Sequence, residues 1–118
     1  MSKLVFVFLL FSSSCFADEW TAQDSNREYA YLALHTADWL QTRQISKHPE
    51  RWEESNLILG KHPSTGKVDA YFAIAGLAHY EVAKLLPTEW RKAFQYLSIG
   101  VEAGYVAHNL SFGVRAKF

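Results

Sequence analysis

The 22 residues from Ala93 to Val114 contain one formal charge, Glu102. At ~100° per residue, Gly100, Gly104, Ala107 and Ser111 fall on one stripe of a helix, and Ser98, Glu102, Tyr105 and Asn109 fall on the opposite one. The length suits a bilayer span, and the small-residue stripe, with Gly100, Gly104 and Ala107 as helix-packing positions, lets another helix approach closely. A carboxylate on such a segment has to face protein or a wet cavity, because lipid exposure is costly. The expected architecture is therefore an all-α, small three-helix transmembrane bundle with a polar seam.

Residues 1–17 read as a cleaved export signal. Lys3 supplies the positive start, Leu4 to Phe11 the apolar stretch, and Ser12 to Ala17 the small-residue exit. Cleavage after Ala17 leaves a mature chain without cysteine, which excludes disulfides and thiolate chemistry. The alternative is cleavage before Cys15 and lipid attachment there. The mature part, 18–118, has room for a single domain.

Three helices are expected over about 25–45, 66–86 and 88–114. Asp24, Ser25 or Asn26 offers a cap for the first, Pro87 ends the second, and Thr88 offers a cap for the third. The connection Ser46–Thr65 is long for a small domain, and Glu50–Leu59 reads as a short amphipathic helix within it. With the mature N-terminus outside the cytoplasm, Arg43, Lys47, Arg51, Lys61, Lys67, Arg115 and Lys117 flank the inner side. Lys84, Arg91 and Lys92 lie on the outer turn, in agreement with the positive-inside rule. Four Trp and six Tyr suit membrane interfaces.

Lys plus Arg and Asp plus Glu balance at 12 each, so nothing points to nucleic acid. The segment Gly60–Lys67 superficially suggests a phosphate-binding loop. Five residues rather than four lie between its glycines, Val68 stands where Ser or Thr would hold Mg²⁺, and no strand precedes it, which excludes nucleotide binding. The same stretch reads as a turn with a cap for the second helix.

On the first helix Tyr31, His35, Asp38 and Thr42 share a stripe. The second adds His79 and the third Glu102, Tyr105 and Asn109, with His108 off their line. The candidate intramembrane polar cluster is His35, Asp38, Thr42, His79, Glu102, Tyr105 and Asn109. Asp38, His79 and Glu102 sit near the middle of their segments and are expected to converge. Two carboxylates and an imidazole can bind a divalent metal or move a proton, although no zinc-protease spacing such as His-Glu-x-x-His is present. Their structural use is a buried pair that fixes helix register. No catalytic residues and no cofactor are assigned; a divalent metal is the alternative.

The pattern Asp38, Gln41-Thr42, Glu54-x-Asn56, Leu59-Gly60-x-His62-Pro63-Ser64, Glu102 and Asn109 resembles a group of small uncharacterised inner-membrane proteins of proteobacteria and their phages. The similarity covers Ala30 to Gly113. These relatives carry an Asp-x-x-x-Thr pattern in the first helix and an Asn-Pro or Asn-containing turn after it, and this chain has Asn56-Leu57 where Asn-Pro is expected. The resemblance implies an inner-membrane location and supplies no activity.

The expected function is that of a non-enzymatic small inner-membrane protein, phage- or prophage-associated, acting on lipid-embedded partners or on itself through helix contacts. One alternative is an intramembrane metal- or proton-handling protein or enzyme using Asp38, His79 and Glu102. The other is a soluble periplasmic helical adaptor.

Overall fold

The computed structural model describes residues 19–117. Among these the chain is all-helical: α1 spans Ala22–Lys47, α2 spans Thr65–Leu85 and α3 spans Thr88–Ser111. The export-signal reading and Cys15 lie outside the described residues.

The start of α1 is set by a capping box, three residues ahead of the expected one. The Thr21 hydroxyl accepts from the Asp24 amide at 3.2 Å, and the Thr21 amide donates to the Asp24 carboxylate at 2.8 Å. Ser64 caps α2 by accepting from the Lys67 amide at 3.1 Å, as the turn reading of that segment anticipates. Thr88 does not cap α3. Pro87 occupies the cap position with no side-chain bond, since its fixed φ suits the helix entry. α3 stops at Ser111, and Gly113 then turns through φ 80°, a left-handed conformation that favours glycine.

The long connection is not helical. Glu50–Leu59 forms turns instead of the expected amphipathic helix. Local bonds compete with helix formation there: Glu54 accepts from the amides of Ser55 and Asn56, both at 3.0 Å, and Asn56 accepts from the Ile58 amide at 2.9 Å. The Glu54 amide donates back to the Lys61 carbonyl at 2.8 Å, closing the loop on itself. Trp52 fastens it to the end of α3 by donating to the Phe112 carbonyl at 3.0 Å.

α1 packs against both other helices, whereas α2 and α3 touch little. The small apolar core, Leu59, Val68 and Phe72 with Trp39 and Tyr71 against it, lies between α1, α2 and the loop. Beside it Asp69 receives bonds from Trp39 at 2.8 Å and from Arg43 at 2.6 Å. Those two donors, Arg43 foremost, hold the Asp69 carboxyl below its ordinary value.

The distribution of polarity is inverted. Among the described residues, twelve buried side chains are polar or charged and seven are apolar. Thirteen large apolar side chains, including Ile74, Leu77, Trp90, Leu97 and Val101, are exposed. On α1 from Tyr29 to Leu40, α2 from Ala70 to Tyr80 and α3 from Ala93 to Ala107, the only formal charges are Asp38 and Glu102, which turn inward. Averaged over all its faces, no helix among the described residues is long and apolar enough to cross a membrane.

Candidate functional site

The inward faces of α1 and α3 meet along a continuous polar seam. On α1 it is built by Asp24, Glu28, Tyr31, His35, Asp38 and Thr42, spaced alternately by four and three residues. Arg91, Gln95, Ser98, Glu102, Tyr105 and Asn109 repeat that spacing on α3. This is the period that keeps one face of each helix against its neighbour, here filled with polar groups in place of aliphatic ones.

At the α1 N-terminal end, Arg91 is fully buried and donates Nη1 to Asp24 Oδ2 at 2.8 Å. Its Nε donates to the Ala83 carbonyl at 2.8 Å, at the end of α2, where the Leu86 amide also donates at 3.3 Å. Asp24 also pairs with Arg27. Burial pushes the Asp24 carboxyl up, but the Thr21 amide and the Arg91 guanidinium outweigh it and hold the group below its ordinary value. Gln95 donates to the Asp24 carbonyl and to Glu28 Oε1, both at 3.1 Å. Glu28 Oε2 accepts from His79 Nδ1 at 2.8 Å.

In the middle, Tyr31 stacks on His79 with ring centres 3.5 Å apart and on His35 at 5.1 Å. His35 Nε2 lies 2.8 Å from the Phe72 carbonyl, an acceptor only, so that nitrogen carries a proton. His35 Nδ1 stands 3.3 Å from both the Tyr31 hydroxyl and Glu102 Oε1. In the neutral ring Nδ1 accepts from the tyrosine; in the imidazolium it donates to the carboxylate.

Towards the loop end, Asp38 Oδ1 accepts from Thr42 at 3.2 Å and from Asn109 Nδ2 at 3.3 Å. Asn109 also donates to Gln41 Oε1 at 3.0 Å. Asp38 feels the negative charge of Glu102 first and, more weakly, that of Glu54. Glu102 Oε2, Glu54 Oε2 and His79 Nε2 are buried without a hydrogen-bond partner.

Of the residues expected to form one cluster, His35, Asp38, Thr42, Glu102 and Asn109 come together. His79 does not join Asp38 and Glu102: Glu28 takes its Nδ1, and Tyr31 lies between it and His35. Tyr105 is half-buried and near Tyr71. Gly100, Gly104 and Ala107 face outward, and nothing of the chain lies within 4 Å of a Cβ built on either glycine. Asp24, Glu28, Arg91 and Gln95 extend the two seam stripes towards the α1 N-terminus, and continuing the four-three spacing backwards would have found them. Glu54 enters from the loop, where no periodicity marks it.

Among the described residues no group of three or more His, Cys, Asp or Glu is placed to hold a metal ion. The chain matches no protein-family model, no curated protein and no solved structure.

Proposed function

We propose that this chain is a small integral protein of the bacterial inner membrane that acts through contacts in the plane of the bilayer. The inverted polarity of the bundle carries this reading. A water-exposed surface with so many large apolar side chains would invite aggregation, whereas in lipid the same surface is solvated and the polar groups belong inside. The hydropathy of each helix is diluted by its seam face, so a mean over all faces understates how apolar its outer face is. At ~1.5 Å per residue the helices are roughly 39, 32 and 36 Å long, and their charge-poor middle stretches are about 18, 17 and 23 Å. A hydrocarbon core of about 30 Å would therefore have to thin locally or have the charged side chains at its edges reach the headgroups. The belt runs over residues 29–40, 70–80 and 93–107, with Asp24 and Asp69 beyond its ends. Lys47, Arg51, Lys61, Lys67 and Arg115 gather at the loop end, which favours that end on the cytoplasmic side. The outward Gly100, Gly104 and Ala107 offer a close approach to a neighbouring helix.

Alkaline carbonate washing followed by flotation tests the placement. The protein is expected to stay with the membrane fraction and float with it; release into the supernatant overturns the reading. A second reading, ion or proton handling, is favoured by the carboxyls of Asp38 and Glu102 inside the belt, because ionisable groups at that depth usually mark a pathway or a relay.

A further inference from the structure

We propose that Arg51, Arg115 and Lys117 form a binding site for the phosphate of an anionic phospholipid headgroup at the loop end of the bundle. The site rests on the membrane placement above and gives that end a ligand.

The first ground is a cavity built from two segments far apart in the chain. After α3 the backbone turns at Gly113, Val114 is buried, and the tail is fixed to α1 by two buried amides. Gln41 donates to the Val114 carbonyl at 3.3 Å and Gln44 to the Lys117 carbonyl at 2.7 Å. The loop after α1 is held against the same region by the Trp52 bond to the Phe112 carbonyl. Between tail and loop lies a cavity of about 240 Å³, with His48, Arg51, Trp52, Arg115 and Lys117 in its wall.

Charge is the second ground. No carboxylate lines this cavity, and among the described residues no ion pair joins Arg51, Arg115 or Lys117 to an acid. Glu50 feels the charge of Arg51, but its side chain is 65% exposed and bonds His48 at 3.3 Å. Glu53 lines the adjoining cavity and stands 3.7 Å from His62. The Arg51 guanidinium lies over the Trp52 ring at 4.6 Å. Stacking of that kind holds the group while leaving its in-plane N–H donors for an acceptor, and the fork they form matches the oxygens of a phosphate.

Depth is the third ground, and it selects a lipid over a soluble phosphate. The apolar belt ends near Leu40 on α1 and Ala107 on α3. Gln44 and His48 follow Leu40 by roughly 6 and 12 Å at ~1.5 Å per residue. That range overlaps the headgroup layer, about 5–8 Å thick on each side of the hydrocarbon core. Phospholipid phosphates are concentrated at that level, and the cytoplasmic leaflet carries anionic ones that attract basic residues beside a span. A zwitterionic headgroup brings its own positive charge to the cavity and suits it less.

The test uses the full chain in a non-ionic detergent with phosphatidylglycerol or phosphatidylcholine added, and native mass spectrometry counts the lipid retained. Flotation of the same preparation with phosphatidylcholine vesicles checks the placement. Phosphatidylglycerol should be retained several-fold in preference. The preference should fall several-fold in Arg51→Gln and in Arg115→Gln and persist in Lys92→Gln, which removes the same charge from an exposed position near the far end. Circular dichroism checks that each variant keeps its helices; Arg115 is exposed beyond α3, so its variant serves if Arg51→Gln loosens the loop. Inorganic phosphate equimolar with the lipid should leave the lipid bound, and displacement would overturn the lipid assignment in favour of a soluble phosphate. Equal retention of both lipids, a preference indifferent to the two arginine changes, or one lost equally in Lys92→Gln overturns the inference and leaves the membrane placement standing. Protein that does not float overturns both.

Discussion

Arg91 and Asp24, 67 positions apart in the chain, meet at 2.8 Å in the interior with about 1% of each side chain exposed. Such a pair adds little net stability over a well-packed apolar one, yet removing one partner strands the other. Arg91→Ala is expected to cost about 3 kcal/mol, the low end for a broken buried pair, because Asp24 keeps Arg27 and the Thr21 amide and the Ala83 carbonyl keeps the Leu86 amide. Denaturant unfolding in detergent measures it. Combining Arg91→Met with Asp24→Asn should cost less than the two changes summed.

Acid sensitivity follows from the same carboxyl. The folded-state value of Asp24 is lowered from an ordinary 3.8, so the unfolded chain takes up this proton first as pH falls. Its contribution is fully present above pH 3.8 and is lost as pH falls through the lower folded value. Asp24→Asn should flatten the acid limb of a stability-against-pH curve in that window and leave its shape at higher pH unchanged.

The loop depends on Trp52. Its indole reaches the Phe112 carbonyl, and its ring carries Arg51 at 4.6 Å and meets His48 edge-on. Trp52→Ala should speed tryptic cleavage at Arg51 and Lys61 several-fold while circular dichroism shows the same helix content. Unchanged cleavage would mean that the Glu54 and Lys61 bonds hold the loop alone.

Gly104 makes the opposite kind of prediction. A side chain added there meets nothing of its own chain, and alanine favours the helix over glycine by about 1 kcal/mol. Gly104→Ala should therefore leave the detergent-solubilised protein no less stable, as thermal unfolding would report. A loss above ~1 kcal/mol would show that this face packs against a second chain.

Much of the architecture is legible in the residues. The uninterrupted runs around Ala30, Ala73 and Ala103 specify helices, and Pro87 fixes the turn between α2 and α3. The ends are less legible. Asp24 looks like a cap, but its carboxylate serves the Thr21 amide, so the true cap lies three residues earlier. Glu50–Leu59 has the spacing of an amphipathic helix, yet Glu54 and Asn56 spend their side chains on nearby amides and hold turns instead. The seam is half legible for a related reason. Hydrophobic periodicity points a solvent-exposed helix at its core; here the core-facing positions are the polar ones, and Asp24, Glu28, Arg91 and Gln95 look like solvated ends until the four-three spacing is followed through them. The pairing of His79 with Glu28 instead of Asp38 depends on how far α2 is displaced along α1, which no single-helix pattern records.

Arg91 ties the start of α1, the end of α2 and its own helix together at one pole, whereas the opposite pole is closed by a loop on a small apolar core, by side-chain amides and by the half-exposed Arg43–Asp69 pair. The two poles should therefore loosen in sequence. Amide hydrogens near Leu59 and Val114 are expected to exchange before those near Glu28 and Gln95, which would make the loop pole the natural entry point for anything that must reach the interior.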